Sequence, residues 1–266
     1  MHTAPMSSGN SGGPLVNSYG EVIGINTLSS VGDNAQNLNY SVKIEEIEKV
    51  NTSSPMDWNT FVNRDSIPIN TVSVKKAHVG DYVKLGTYEQ DNNTKNGKED
   101  IEWLVLAEDG DYLFVVSRFC LDITCWNKDN KFVSWKESEH RTWFNKFYKN
   151  AFTDKERKSI VAVDATKELT NPKNSGKDYL FLMSIEEINT YFENVDKRAS
   201  ASEYCKALGA GDFGNKYTFW STRTPSDVEE GKYFTVAVFG DITSDNPDGT
   251  SVVGRMATRP AMWIKR

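Results

Sequence analysis

The residues of this sequence that most clearly suggest chemistry form a glycine-rich loop around a serine. Residues 9–15 read GNSGGPL, which places Ser11 between glycines. Acyl transfer from a peptide needs backbone N–H groups aimed at the developing oxyanion, and glycines allow the tight turn that presents them. The loop therefore predicts a nucleophilic Ser11, with the backbone N–H groups of Gly9 and Ser11 as the oxyanion-hole donors.

A serine nucleophile also needs a general base, because its hydroxyl stays protonated at neutral pH. The sequence contains three histidines, His2, His78 and His140. His2 lies close to Ser11 in sequence, and the other two belong to a later block. We expect His78 and His140 to be surface or capping residues, and we expect the chain to be proteolytically inert by itself.

The remaining reactive residue types predict no metal and no cofactor. Cys120, Cys125 and Cys205 lack the paired spacing of a structural zinc site, so we expect buried thiols, with a Cys120–Cys125 disulfide left open. Residues 91–97 read DNNTKNG and superficially resemble a calcium loop, but a lysine occupies a ligand position and the glycine is displaced. They predict a hairpin turn instead.

Composition excludes several functional classes. The chain has 266 residues, 38% hydrophobic, and a formal net charge of −6. It is long enough for one or two globular domains, and it lacks the basic stripe that nucleic-acid binding requires. Its first residues do not predict a signal peptide, and it has no apolar run long enough to cross a bilayer. We therefore expect no membrane segment and no nucleic-acid partner.

Three blocks must position these residues. Residues 1–50 contain strand patterns at 14–16, 22–26 and 38–42, followed by an amphipathic helical segment at 43–50. Residues 51–74 have the irregular, serine- and proline-containing pattern of a linker. Residues 75–266 form the third block.

The third block reads as α+β, because helical patterns lie between two groups of strands. A helix is expected after Ser138, and Thr153 with Glu156 and Ser184 with Glu187 have capping-box spacing. Trp103, Trp143, Trp220 and Trp263 are expected in the core, and Arg223 and Arg259 in structural ion pairs. Strand patterns lie at 82–86, 101–106, 112–116, 217–220, 234–239 and 260–264.

Residues 3–50 resemble the catalytic-serine segment of trypsin-like proteases. The loop at 9–15, the GEVIGINT at 20–27 and the NLNYSV at 37–42 are similar to the HtrA-type branch in particular. The resemblance implies that Ser11 is the nucleophile and that the strands after it line the specificity pocket. In that fold the histidine and aspartate lie far upstream of the serine.

Two interpretations of this block stay open. Either the front of the protease is missing from the chain as given, or the segment is a degenerate remnant; the intact loop favours the first. Three strands of a six-stranded barrel cannot close, so we expect this block to expose apolar surface and an unpaired edge.

Residues 75–266 resemble an uncharacterised bacterial domain family. The resemblance rests on the strings at 79–91, 102–106 and 141–145 and on the closing RPAMWI at 259–264. It implies a C-type-lectin-like fold related to sulfatase-modifying proteins, in a secreted or cell-surface bacterial setting.

The sequence thus predicts a partial all-β trypsin-like barrel fragment at 1–50, a linker at 51–74 and an α+β C-type-lectin-like domain at 75–266. The predicted function is the C-terminal part of an HtrA-like serine endopeptidase that acts on peptide or protein substrates and carries an appended recognition module. The alternative is a non-enzymatic extracellular module that binds a glycan or protein through residues 75–266, with a vestigial protease segment.

Overall fold

A computed structural model of the chain describes residues 12–30, 38–44, 69–129, 131–193, 195–211, 216–225, 232–243 and 254–266. The chain divides into two compact units, Met1–Ile67 and Pro68–Arg266. The described part is mostly β, with few helices. None of its helices has the length and apolar character that a bilayer crossing requires.

The strands, numbered in chain order, are β1 (Pro14–Val16), β2 (Val22–Ser30), β3 (Leu38–Lys43), β4 (Tyr82–Tyr88), β5 (Glu99–Asp109), β6 (Tyr112–Ser117), β7 (Asp122–Thr124), β8 (Ile160–Val161), β9 (Ala199–Ser200), β10 (Tyr217–Thr218), β11 (Trp220–Pro225), β12 (Tyr233–Val236), β13 (Ile242–Thr243), β14 (Met256–Thr258) and β15 (Ala261–Lys265). The helices are α1 (Glu139–Ala151), α2 (Asp154–Arg157), α3 (Ile185–Tyr191) and α4 (Glu203–Ala207). Two 3₁₀ turns lie at Val74–Lys76 and Trp135–Glu137.

The first unit contains an antiparallel sheet in the order β1-β2-β3, as the strand patterns predict. The β1–β2 turn closes on Asn17, whose Oδ1 accepts hydrogen bonds from the backbone N–H groups of Tyr19 and Glu21. Register breaks in both ladders curl the sheet. Of the helical segment predicted at 43–50, Lys43 belongs to β3 and residues 45–50 lie outside the described residues.

This sheet exposes apolar side chains, as expected for an unclosed set of strands. Val16, Val22, Ile23 and Val42 are each more than 40% exposed, and Tyr19 is 88% exposed. Because Val22 and Ile23 are adjacent in β2, their side chains point to opposite faces. Apolar surface is therefore exposed on both faces of the sheet.

The second unit is built on two five-stranded sheets. One is antiparallel throughout, in the order β4-β5-β6-β15-β8, so the last strand of the chain lies between β6 and β8. The other has the order β13-β12-β11-β14-β7 and contains one parallel pair, β11 with β14. The predicted hairpin turn at 91–97 joins β4 to β5.

The core of the second unit is aromatic, and its tryptophans are hydrogen-bonded. Trp103 and Trp220 are completely buried, and their indole N–H groups donate to the carbonyls of Leu85 and Lys197 at 2.8 and 3.1 Å. Trp263 is also buried and donates to Thr170 Oγ1. The predicted core positions of these three tryptophans are confirmed, whereas Trp143 is only half-buried against the core and donates to Asp122 Oδ2.

Local hydrogen bonds start the helices where the sequence predicts. Ser138 caps α1 by accepting from the N–H of Arg141. The predicted capping boxes form at Thr153–Glu156 and Ser184–Glu187. Each box satisfies backbone N–H groups that the first helical turn leaves without an intrahelical partner.

The three cysteines are buried free thiols. Burial raises the pKa of Cys120 to about 12, even though the nearby Arg259 guanidinium acts in the opposite direction. Buried thiols with raised pKa values are poor nucleophiles and poor metal ligands. Cys120, Cys125 and Cys205 thus contribute to packing.

Candidate functional site

The predicted nucleophile Ser11 and its oxyanion-hole partner Gly9 lie outside the described residues. The residues that follow them in the loop are described. Gly12 donates its N–H to the carbonyl of Asn26 at 2.8 Å, and Asn26 donates in return to the carbonyl of Gly13 at 2.9 Å. This pair of hydrogen bonds fixes the end of the glycine-rich loop to β2.

Asn26 also connects β2 to β3 through its side chain. Its Oδ1 accepts a hydrogen bond from Ser41 Oγ at 2.8 Å, and Asn26 is 9% exposed. Two residues earlier in β2, a Cβ added to Gly24 would lie 2.7 Å from the carbonyl oxygen of Val42. The strand pair thus approaches too closely at Gly24 for any larger residue.

The two histidines of the second unit have different environments. His78 is exposed, and its Nδ1 lies 3.2 Å from Glu108 Oε1, so the expectation of a surface residue is confirmed. The same expectation is wrong for His140, which is completely buried in α1. Its helical position turns it inward, where its Nδ1 bonds Thr124 Oγ1.

His140 belongs to an aromatic cluster with unusual polar atoms. Its ring lies 5.3 Å from that of Trp126, which in turn stacks on Tyr233 at 3.6 Å and contacts Trp135 at 6.1 Å. Within the described part of the chain, no hydrogen-bond partner contacts His140 Nε2, Trp126 Nε1 or Trp135 Nε1. Burial alone lowers the pKa of His140 to about 3, so the imidazole is neutral at physiological pH.

The second unit also contains a polar cleft. Two of its lining residues, Lys136 and Arg141, are close to His140 in the sequence. It has a volume of about 350 Å³, which is at the small end of ligand-binding pockets. Its walls come from the start of α1 and from the segment between β8 and α3. The lining residues are Lys136, Arg141, Asp164, Ser175, Gly176, Lys177 and Asp178.

A half-buried ion pair forms one wall of the cleft. Arg141 Nε donates to Asp178 Oδ1 at 2.5 Å, and the Asp178 side chain is 5% exposed. Asp178 Oδ2 accepts from the backbone N–H of Ala165. The Asp178 backbone pairs antiparallel with Val163 through two hydrogen bonds of 2.9 and 3.0 Å.

Three carboxylates near the β4–β5 turn are close enough to share a cation. Their oxygen atoms, on Glu89, Asp91 and Glu99, all lie within 4.8 Å of one another. Each already accepts protein hydrogen bonds, for example Asp91 from Asn96 and Glu99 from the N–H of Gln90. Clustered acidic residues are common around exposed turns, so this arrangement assigns no metal.

Comparison with protein families covers both units. The family described as "Domain of unknown function (DUF6273)" matches residues 101–266, which is more than half of the chain. The chain belongs to this family. The DUF6273 match contains all seven cleft residues and His140, but it begins within β5 and leaves β4 outside.

The family described as "Trypsin" matches residues 3–51, so the first unit contains a trypsin-related segment. This match includes Gly9, Ser11 and the described residues Gly12, Gly13 and Asn26. No curated protein and no solved structure shows a significant match to the chain.

Sequence reasoning missed the cleft entirely. Arg141 was noted only within the string at 141–145 that resembles a domain family. Nothing in the sequence pattern pointed to Lys136, Lys177 or Asp178. The contact between Arg141 and Asp178 joins positions 37 residues apart and depends on the pairing of Val163 with Asp178. No local spacing signals such a contact.

Proposed function

We propose that residues 3–51 are the nucleophile-bearing segment of an HtrA-type serine endopeptidase. Ser11 is its nucleophile, and the N–H groups of Gly9 and Ser11 are its oxyanion hole. The observation that carries this proposal is the trypsin-family match over a loop whose end is hydrogen-bonded to β2 through Gly12, Gly13 and Asn26. That attachment supports a loop held in the turn that acyl transfer needs.

The chain by itself is inert in this proposal, because neither histidine among the described residues is a competent base for Ser11. His140 is completely buried, with Nδ1 bonded to Thr124. His78 is engaged with Glu108. A serine without a base within about 3 Å is a poor nucleophile.

A fluorophosphonate probe tests the inert state, with Ser11→Ala as the matched control. We expect the wild-type chain and S11A to show the same background labelling. Labelling of wild type that disappears in S11A would show that the chain activates its own serine.

A chimera tests the assignment of the segment. The histidine- and aspartate-bearing front of an HtrA-type protease is joined to residue 3 of this chain. We expect the chimera to be labelled at Ser11 and to cleave casein, and its S11A version to do neither. A folded chimera without labelling would favour a vestigial segment.

The second candidate function is recognition by the second unit, and the cleft is the observation that favours it. We propose that residues 75–266 form a C-type-lectin-like binding module for a glycan or a protein on a secreted or surface-bound bacterial protein. A glycan and peptide array probed with the full chain tests this function. Reproducible binding that is lost when cleft residues change supports it, and an array with no hit contradicts it.

A further inference from the structure

The carboxylates that line the cleft accept hydrogen bonds from the protein itself. Both oxygens of Asp178 accept bonds, from Arg141 Nε and from the N–H of Ala165. Asp164 Oδ1 accepts from the backbone N–H and the hydroxyl of Thr166, and these bonds hold the pKa of Asp164 below its usual value. The acidic groups of the cleft thus already accept hydrogen bonds within the protein, at both oxygens of Asp178 and at Oδ1 of Asp164.

The cationic groups of the cleft keep unused donors. The exposed ammonium groups of Lys136 and Lys177 make no hydrogen bond or ion pair with the described residues. Arg141 uses Nε for Asp178 and Nη1 for the carbonyl of Lys136, which leaves Nη2 without a partner among those same residues. A ligand in the cleft can therefore accept hydrogen bonds from three cationic side chains.

The balance of charge among the lining residues favours an anion. Lys136, Arg141 and Lys177 carry three positive charges, and Asp164 and Asp178 carry two negative charges. One further negative charge makes the lining neutral.

We propose that this cleft binds a carboxylate group. The carboxylate accepts hydrogen bonds from Arg141 Nη2 and from the ammonium groups of Lys136 and Lys177. Charge-assisted bonds of this kind are stronger than neutral ones, and the two oxygens of a carboxylate can each accept more than one donor.

Contacts within the protein hold Arg141 and the backbone of the cleft wall in place. Arg141 is fixed by the Asp178 carboxylate, whose backbone pairs with Val163. A Cβ added to Gly176 would lie 1.9 Å from the Val163 carbonyl, so the segment carrying Lys177 lies directly against this backbone. A preorganised site loses less conformational entropy on binding.

Nuclear magnetic resonance titration of the full chain tests the proposal with four probes. Acetate represents a small free acid, and N-acetyl-Ala-Ala represents a peptide C-terminus. The C-terminal amide of the same dipeptide removes the charge, and inorganic phosphate supplies a different anion. We expect saturable shifts of the backbone amides at 136, 164 and 175–178 with a carboxylate and none with the amide.

The pattern among the probes identifies the source of the carboxylate. Tighter binding of N-acetyl-Ala-Ala than of acetate indicates a peptide end, and equal binding indicates any small acid; both support the proposal. Equal shifts with the amide, or tighter binding of phosphate, overturn the carboxylate assignment.

Substitutions locate the site. An exposed charge pair is worth about two- to fivefold in affinity, so we expect Lys136→Ala/Lys177→Ala to weaken carboxylate binding about fivefold or more. Lys155→Ala, which removes an exposed lysine from α2, is the matched control and leaves affinity unchanged. An unshifted spectrum elsewhere confirms that the variants fold, and an affinity within twofold of wild type in the double variant overturns the proposal.

Discussion

At the residue scale, His140 predicts a loss of stability on mild acidification. Its pKa is about 3 in the folded protein, against a reference value of 6.5, because burial disfavours the imidazolium. Between these values the unfolded chain binds a proton that the native state does not, so the free energy of unfolding falls as pH falls below 6.5. We expect wild type to lose roughly 2 kcal/mol between pH 7 and pH 5 relative to His140→Leu, measured by urea unfolding.

The control for this prediction is Phe147→Leu, which alters another buried residue of α1 without removing a titratable group. We expect F147L to shift stability by the same amount at both pH values. Parallel behaviour of wild type and H140L across the range would mean that His140 takes up a proton in the native state as readily as in the unfolded chain.

A second residue-scale prediction concerns the ion pair between Arg223 and Glu187. The nitrogen and oxygen lie 2.5 Å apart, and the side chains are 2% and 0% exposed. Removing one partner of a buried pair leaves an uncompensated charge, so Glu187→Gln should cost about 3 kcal/mol or more in free energy of unfolding. Arg223→Met/Glu187→Gln should recover part of that loss.

The neighbouring Glu186→Gln provides the control, because this glutamate is exposed on the same helical turn. Its expected effect is within about 0.5 kcal/mol. If E187Q and E186Q unfold at the same urea concentration, the buried pair contributes nothing that the hydrogen bonds do not already supply.

At the element scale, the second unit requires the backbone at Gly176 to pack directly against the backbone at Val163. An added Cβ would lie 1.9 Å from the Val163 carbonyl carbon and oxygen, and backbone atoms cannot move aside as a flexible side chain can. We expect Gly176→Ala to lower the free energy of unfolding by at least about 3 kcal/mol. Gly97→Ala, at a φ of +99° with open space around it, should cost only about 1 kcal/mol. Equal effects in thermal unfolding would mean that the Val163 segment shifts freely.

The elements that could be predicted from the sequence are those whose formation depends on interactions between residues close in the chain. The capping boxes at Thr153 and Ser184 need only a residue three positions away, and the strands predicted at 14–16 and 22–26 need only the turn between them to pair. The ion pair predicted for Arg223 is confirmed. The one predicted for Arg259 is wrong within the described residues, because Arg259 instead donates to the carbonyls of Ser117 and Lys197.

The features that could not be predicted depend on contacts between distant segments. The guanidinium of Arg259 lies over the rings of Trp220 and Phe192. These aromatic rings, together with two backbone carbonyls, stabilise its charge in the place of a carboxylate. The inward orientation of His140 depends on β7, which supplies Thr124, and the cleft depends on the pairing of Val163 with Asp178. Periodicity gives the face of a helix but not the element that it packs against.

At the scale of the whole molecule, the two units differ in what they bury. Every buried hydrophobic residue of the described chain lies between Ala77 and Ile264, in the second unit. In the first unit, only Gly24 and Asn26 are buried among the residues with described side chains. Since apolar burial is the main favourable contribution to folding, the second unit contains the interactions needed for a cooperative transition.

We therefore expect residues 68–266 alone to unfold cooperatively, with a midpoint within about 3 °C of the full chain in calorimetry. The fragment 101–266, which has the bounds of the DUF6273 match, is the comparison and lacks β4. This strand pairs with β5 and contains the completely buried Val83. It also supplies the Leu85 carbonyl that accepts a hydrogen bond from Trp103. Because this deletion exposes the edge of β5 and leaves a buried indole N–H without its acceptor, 101–266 should unfold at a clearly lower temperature or aggregate. Identical midpoints for the two fragments would show that β4 is dispensable, and absence of a cooperative transition in 68–266 would show that the second unit requires the first.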